Sequence, residues 1–251
     1  QGSLGLLARL SDDPAVPALL AGVKNHVEPN YPPEAELNII YGPDELPLPE
    51  AKPPVFRNLS VTGLLCSSRP TAHGPVRLQI IGGPAGAGHG HDDRGSFVLE
   101  GFGDELAVDR GQMRYIDPRS QAMKYACYHN LTIPHSPDGL PFRQHNPCPV
   151  ATLPEGEGDE HRLHCRIDLH GVWPAPVTDA KRQLDSEDPE NILVTDSMTL
   201  SEPLAVGFYV QSRYPWRKIG RGWVTVGSGG QLTVMPQWQP QEEQGVEDFI
   251  L

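Results

Sequence analysis

The chain has 251 residues, enough for one large all-β domain with a full hydrophobic core. It carries 20 Lys plus Arg against 32 Asp plus Glu, a formal net charge of −12. This charge argues against nucleic acid as a partner, because phosphate backbones bind cationic surfaces. No apolar run reaches the roughly 18 residues of a membrane span, so we expect no membrane-spanning segment.

Residues 1–53 are predicted to form a helical remnant followed by a proline-rich connector. Leucines recur at helical spacing between residues 4 and 10, and Asp13-Pro14 is typical of the start of a second short helix. Prolines are frequent from residue 30 to residue 54, which indicates a connector lying along a surface. The first residue is Gln1 and not Met, so we expect a processed chain or a piece of a longer one.

From residue 54 to residue 251 the sequence predicts a mainly β domain, an antiparallel β-sandwich. Apolar residues alternate with polar ones, and clusters of Gly, Pro, Asp or Ser separate the alternating segments. The predicted strands are Val76–Ile81, Ser96–Leu99, Glu105–Asp109, Leu163–Leu169, Ile192–Thr199, Ala205–Gln211, Trp223–Val226 and Gln231–Met235.

A histidine motif stands directly before one of these strands, at His89-Gly90-His91. In an extended segment two such imidazoles lie on the same side, about 7 Å apart at their Cα atoms. A hairpin turning near residues 101–103 would return Asp109 toward His91. With His129 as a third imidazole, two histidines and one carboxylate make a ligand set suited to zinc.

Each piece of this set also has a plainer interpretation. Two histidines spaced in this way are more often surface residues, Asp109 precedes a glycine and is typical of a turn, and His129 alone fits a buried core histidine. The segment of residues 82–88 is glycine-rich but lacks the Lys-Ser/Thr of a phosphate loop, so we interpret it as flexible backbone near a cleft. On the residues alone, both alternatives remain open.

The string HGHDDRGSFVLEGFGDELAVDRG, followed by Tyr115, Tyr125 and His129-Asn130, resembles the signature of the heparinase II/III-like polysaccharide lyases. That signature reads HxHxDxGSFxLxxxGxxLxxDxG with a later Y…HN. Segments around Phe56, Gly63 and Ser68-Arg69, and residues 189–196, resemble its flanking parts, so the resemblance covers roughly residues 40–240.

The resemblance implies an (α/α) toroid followed by antiparallel β-sheet domains, in an enzyme that cleaves uronate-containing polysaccharide by β-elimination. Residues 1–25 would then be the last helices of a toroid that is mostly outside this sequence. By similarity, His91, Asp109 and His129 correspond to zinc ligands, and His89 to the catalytic histidine that faces the substrate uronate. The family's catalytic tyrosine lies on the toroid, and no stretch here matches it.

Four further residues are expected at the substrate on the same resemblance: Arg69, Tyr115, Tyr125 and Asn130. The zinc would be mainly structural, fixing the loop that aims His89. Two departures stand out: Leu131 replaces the threonine that usually follows the HN pair, and Asp92-Asp93 adds negative charge beside a site for polyanions.

The sequence therefore predicts the C-terminal β-domain of a polysaccharide lyase with a structural zinc, active as part of a longer protein and inactive as this fragment alone. Its expected partners are an acidic polysaccharide and its own N-terminal toroid, and its expected location is secreted or periplasmic. The alternative is a non-catalytic carbohydrate-binding β-sandwich with a structural metal. A structural domain with incidental histidines is a third possibility that the long motif disfavours.

Two smaller expectations concern the segment around Leu163–His170. Cys148 and Cys165 flank a predicted turn and are the more favoured disulfide pair. His164 and His170 fall on one face of the predicted strand, where a second metal competes with the more frequent outcome of a solvated sheet face.

Overall fold

The structure is a computed structural model that describes residues 54–88, 90–114 and 116–237, and every structural statement below concerns these ranges. The predicted helical remnant and connector at residues 1–53 lie outside the described residues. Within the described part, no helix is long and apolar enough to cross a membrane.

The described chain consists of fourteen strands and three short 3₁₀ turns, and every strand pairing is antiparallel. The first sheet contains, in chain order, β1 (Phe56–Leu59), β2 (Leu64–Arg69), β3 (Val76–Ile81), β4 (Phe97–Gly101) and β5 (Asp104–Ala107). The 3₁₀ turns are Pro118–Ser120, Ala122–Lys124 and Ala126–Tyr128, and β6 (Thr132–Pro134) follows them.

The second sheet has the order β10-β9-β8-β7 and forms the other layer. Its strands are β7 (Glu155–Gly158), β8 (Leu163–Asp168), β9 (Val177–Asp188) and β10 (Asn191–Leu200). Next come β11 (Val206–Phe208), which pairs with β6, and a three-stranded sheet of β12 (Trp216–Ile219), β13 (Gly222–Val226) and β14 (Gln231–Val234).

The main core lies between the two larger sheets, which confirms the predicted antiparallel sandwich. Along β3 the side chains alternate between buried and exposed, so Leu78 and Ile80 face inward from the first sheet. Leu163, Cys165 and Leu184 meet them from the second sheet in one cluster. Each fully buried aliphatic side chain in such a core stabilises the fold by about 1.5–3 kcal/mol.

A second core continues from the far end of β8 and carries the segment after the 3₁₀ turns. Ile167 on β8 packs in this cluster with Ala126, Leu131 and Ile133, all almost fully buried. The polar dipeptide His129-Asn130 lies between these apolar residues and is also fully buried. This core therefore fixes the position of His129 relative to the sandwich.

All eight predicted strands correspond to observed strands, and β3 matches its prediction at both ends. The longest strand, β9, was not predicted, nor were β1, β2, β6, β7 and β12. The sequence of β9, VTDAKRQLDSED, reads as polar because its buried positions include Arg182 and Ser186 as well as Ala180 and Leu184.

The expected disulfide between Cys148 and Cys165 is wrong, and both cysteines are free and buried. Cys165 packs in the core between the sheets, whereas Cys148 belongs to the second cluster. Burial, as the largest cause, raises the pKa of the Cys165 thiol to about 12, so this side chain acts as a small apolar core residue.

Candidate functional site

The chain reverses direction between β4 and β5, as the glycines at positions 101 and 103 predict. Phe102 and Gly103 occupy the turn with φ of 58° and 80°, a left-handed conformation that glycine adopts without steric cost. The returning strand ends at Ala107, and Asp109 follows two residues later. The hairpin thereby returns the chain to the level of His91.

Three side chains from distant parts of the sequence meet at this point. The potential ligand atoms of His91, Asp109 and His129 all lie within 4.8 Å of one another. Nδ1 of His129 donates a hydrogen bond to Oδ2 of Asp109 at 2.7 Å, and the two imidazole rings have centroids 5.3 Å apart. Within the described ranges, this is the only group of three such residues that is close enough to hold a metal ion.

The residue types of this cluster fit a metal ligand set. His129 is fully buried, and its Nδ1 and the Oδ2 of Asp109 face each other at 2.7 Å. A zinc ion bound by these two atoms and by His91 would take the place of the hydrogen bond between them. The Nε2 of His129 lies on the other side of the ring and has no hydrogen-bond partner among the described residues.

The electrostatics keep Asp109 in its charged form. Burial by itself raises the pKa of Asp109, but the hydrogen bond and charge of His129 and the Gly111 N–H outweigh it, so the pKa lies below its ordinary value. Burial is also the largest cause of the raised pKa of the neighbouring Asp93. Asp109 is therefore available as an anionic ligand near neutral pH.

An open cavity of about 380 Å³ lies beside the cluster. Its lining includes His91, Asp93 and Asp109 together with the backbone of Gly82 and Gly83. The backbone approaches closely here, since a Cβ added to Gly82 would lie 2.0 Å from the carbonyl oxygen of Thr152. Only glycine fits at that position.

The start of the glycine-rich segment is fixed, contrary to the flexibility expected from sequence. The buried guanidinium of Arg94 donates to the carbonyl oxygens of Gly83 and Pro84 and to Oγ1 of Thr152. Gly83 and Thr152 also exchange both of their backbone hydrogen bonds. The cavity wall is thus a braced structure.

The loop that carries His91 is held by side chains of residues 143–146. The amide of Asn146 donates to the carbonyl oxygen of Gly90 at 2.7 Å, and the amide of Gln144 bonds both the N–H and the carbonyl of Arg94 at 2.9 Å. Arg143 forms a two-point ion pair with Asp92. Sequence reasoning missed this brace, because it lies some fifty residues from the loop and matches no motif.

The ion pair also corrects the expectation that Asp92 repels a polyanion. Asp92 is fully buried, and the positive charge of Arg143 neutralises it. Its backbone N–H donates to the carbonyl oxygen of Lys124, so the loop is joined to the 3₁₀ turns as well. Asp92 holds the structure and faces no ligand.

Two of the expected substrate residues are structural instead. Asn130 is fully buried: its amide donates to the carbonyl oxygens of Phe97 at 2.6 Å and Val108 at 3.1 Å, and its oxygen accepts the N–H of Gln211. Arg69 is also fully buried and donates to the carbonyl oxygen of His161 and to Oγ of Ser186. Neither side chain can reach a substrate in solution.

Tyr125 is exposed, as a substrate-binding residue must be. Its ring lies under the guanidinium of Arg143, with Cζ 3.7 Å from the ring centroid. The other two residues expected at the substrate, His89 and Tyr115, lie outside the described residues.

The second histidine face is a solvated surface. His164 pairs with Asp185 at 2.5 Å and His170 with Asp179 at 3.6 Å, and all four side chains are partly exposed. The described residues offer no third ligand to either pair.

Comparisons with known proteins give the fold. No protein-family model and no curated protein matches this chain. Its structure is similar to a heparinase III with methylated lysines, with a TM-score of 0.61 at 14% identity over 87% of this chain and 33% of that one. It is also similar to the heparan sulfate lyase HepC from Pedobacter heparinus, with a TM-score of 0.53 at 15% identity over 86% of this chain and 33% of that one.

These likenesses confirm the fold that the sequence motif implied, a β-sandwich of the kind found in heparinase III structures. This chain spans about a third of the length of those proteins.

Proposed function

We propose that this chain is the β-domain of a polysaccharide lyase that cleaves uronate-containing polysaccharide by β-elimination. In this proposal His91, Asp109 and His129 bind one structural zinc ion, and His89 contacts the substrate. The partners are an acidic polysaccharide and an N-terminal toroid, and the protein acts outside the cytoplasm, secreted or in the periplasm.

The observation that carries the proposal is the convergence of His91, Asp109 and His129, whose potential ligand atoms all lie within 4.8 Å of one another. The same three residues correspond to zinc ligands in the heparinase II/III-like motif that this sequence resembles. The sandwich fold supports the proposal independently, since similar structures are named heparinase III and heparan sulfate lyase.

The chemistry assigns separate work to the two neighbouring histidines. The C5 proton of a uronate is weakly acidic, so its carboxylate must be neutralised by donors or cations before a base removes the proton. His89, as donor or cation, would serve that carboxylate. The zinc would hold His91 and the loop around it, and thereby fix where His89 points.

The zinc assignment predicts about one zinc ion per chain in protein purified without chelator, measured by elemental analysis. His91→Ala should lose the ion, because two ligands and water hold zinc much more weakly than three ligands. The melting temperature should fall with it, since the binding energy of a structural metal is also folding energy. His89→Ala is the matched control one residue away from the ligand and should keep its zinc.

The two variants also test the separate roles. If His91→Ala binds as much zinc as the parent, the ligand assignment is wrong. If His89→Ala loses zinc as His91→Ala does, His89 is a ligand and its contact with substrate is not supported.

The second candidate is a non-catalytic carbohydrate-binding sandwich with the same structural metal. The exposed Tyr125 ring favours it, because sugars commonly stack on such rings. Retention of the longer protein on acidic polysaccharide without release of unsaturated product would decide for this candidate and against the lyase.

A further inference from the structure

Arg143 is exposed and held in one orientation beside the histidine loop. Its Nε and Nη2 donate to the two oxygens of Asp92, and its plane lies over the ring of Tyr125. The side chain is 45% exposed, whereas that of Asp92 is fully buried. One edge of the guanidinium is therefore used inside the protein and the other is open to solvent.

The open edge distinguishes Arg143 from the other arginines that brace this region. Arg94 and Arg182 are buried and use their donors on backbone carbonyls and neighbouring side chains. Arg143 places two of its three nitrogens on Asp92, and Nη1 has no partner among the described residues. A guanidinium has five N–H donors in a planar fork, so an anion can still bind to it.

The position of Arg143 ties it to the candidate site. Asp92 directly follows His91, and its N–H donates to Lys124, the residue before Tyr125. The chain between the ligands Asp109 and His129 also carries Arg110, Arg114, Arg119 and Lys124 against a single acid, Asp117. In a chain of net charge −12 this is a local excess of positive charge.

We infer that Arg143 and the Tyr125 ring form an anion subsite that binds the carboxylate or sulfate group of an acidic sugar beside the histidines. The inference rests on the proposed function and extends it by naming the residue that recognises charge. Asp92 and Tyr125 hold the guanidinium in place before the ligand arrives, so little side-chain entropy is lost on binding. The Tyr125 ring supplies an apolar face for the sugar next to that charge.

The test measures binding of the 251-residue chain to four polysaccharides by affinity electrophoresis and calorimetry. Alginate carries carboxylates only, dextran sulfate carries sulfates only, heparan sulfate carries both, and neutral dextran carries neither. Tighter binding to alginate or to dextran sulfate identifies which group the subsite takes.

Two variants of the subsite avoid leaving a buried charge alone. Arg143→Lys keeps a positive charge beside Asp92 but lacks the second donor edge. The double variant Asp92→Asn with Arg143→Met removes both charges. The matched control is Arg166→Met, which removes an exposed arginine paired with Glu155 on the second sheet.

We expect the parent to bind the acidic probes, and both subsite variants to bind them about tenfold more weakly, the value of a lost charge-assisted hydrogen bond. The affinity of the control for these probes should stay within twofold of that of the parent. All variants should keep the zinc content of the parent. If the parent binds acidic probes and both subsite variants bind equally tightly, the subsite is wrong while the proposed function stands. If the parent binds no acidic probe, the subsite is wrong, whereas the proposed function concerns the longer protein and is judged by zinc content and by release of unsaturated product.

Discussion

At the scale of single residues, the candidate site separates into side chains that are proposed to contact a ligand and side chains that hold the backbone. Asn130 follows His129 in the sequence and belongs to the same motif. Its side-chain amide, however, forms hydrogen bonds with backbone groups of three other segments. The sequence contains no signal for this difference. A polar residue in a motif looks the same whether its partner is a sugar or a buried carbonyl group.

The buried role of Asn130 predicts a large loss of stability on substitution. Asn130→Ala leaves the N–H of Gln211 and the carbonyl oxygens of Phe97 and Val108 without their partner, which should lower the free energy of unfolding by about 2–4 kcal/mol. Urea unfolding measures the change. Asn191→Ala, at the exposed first residue of β10, is the control and should change stability by less than about 0.5 kcal/mol.

The outcome also bears on the substrate assignment that the motif implied. If Asn130→Ala unfolds at the same urea concentration as the parent but binds acidic polysaccharide more weakly, the structural role is wrong and Asn130 contacts the ligand.

At the scale of elements, strand β9 connects the two sheets to the candidate site. Arg182 on β9 is almost fully buried, pairs with Asp196 on β10 at 2.7 Å and 2.8 Å, and donates to the carbonyl oxygens of Gly95 and Asn130. Gly95 ends the loop that carries His91, and Asn130 follows His129. One guanidinium therefore joins both ligand-bearing segments to the second sheet.

The same residue explains why β9 was missed while β3 was predicted at both ends. In β3 every inward position is aliphatic, so the period of two is visible in the sequence. In β9 an inward position holds Arg182, whose charge is compensated by Asp196 fourteen residues away. The charge of Arg182 at an inward position therefore hides the alternation in β9.

The pair predicts a pH-dependent contribution to stability. Burial alone raises the pKa of Asp196, but the charge and hydrogen bonds of Arg182 and the hydroxyl of Thr132 outweigh it, so the pKa lies below its ordinary value. As the pH falls, Asp196 therefore binds a proton at a higher pH in the unfolded chain than in the folded chain. The ion pair makes its full contribution to the free energy of unfolding above pH 4, the ordinary pKa of an aspartate being about 4. This contribution is lost as the pH falls through the lower pKa of Asp196 in the folded chain.

Asp196→Asn isolates this contribution. At pH 7 it leaves Arg182 buried without a counter-charge, and we expect a loss of about 3 kcal/mol in the free energy of unfolding. The difference between parent and variant should narrow as the pH is lowered from 6 to 3, in urea unfolding at each pH. Asp179→Asn, on the exposed face of β9, is the control, and a constant difference across this range would contradict the pKa assignment.

At the scale of the whole molecule, the sequence predicted the sandwich fold and the approach of His91 and Asp109. It did not predict the side chains that hold the loop around them. A short turn that contains glycines makes the second strand run antiparallel to the first. The spacing of the sequence could therefore place Asp109 near His91. The brace at residues 143–146 depends on long-range packing, which local patterns do not encode. His129 could be proposed as a third imidazole from its residue type, and the motif gave it a ligand role by similarity, but spacing alone could not have placed it beside the other two.

The last prediction concerns what the sandwich can do by itself. Elimination needs a base for the C5 proton and an acid for the leaving oxygen within hydrogen-bond reach of one bound sugar. In our proposals, His91, Asp109 and His129 bind a metal ion, and Arg143 and Tyr125 bind the sugar. We therefore expect the 251-residue chain to bind acidic polysaccharide without cleaving it.

The assay is ultraviolet absorbance of the unsaturated uronate product, with alginate, heparan sulfate, chondroitin sulfate and hyaluronan at micromolar protein. Binding without product is the expected result, because the proposed toroid would supply the other wall of the cleft, and its positioning of the substrate contributes several kcal/mol to catalysis. Turnover that Tyr125→Phe or Tyr115→Phe abolishes, while the control Arg166→Met leaves it intact, would contradict the prediction. The complete acid and base set would then lie within this chain, and the tyrosine whose substitution abolishes turnover would be a catalytic residue.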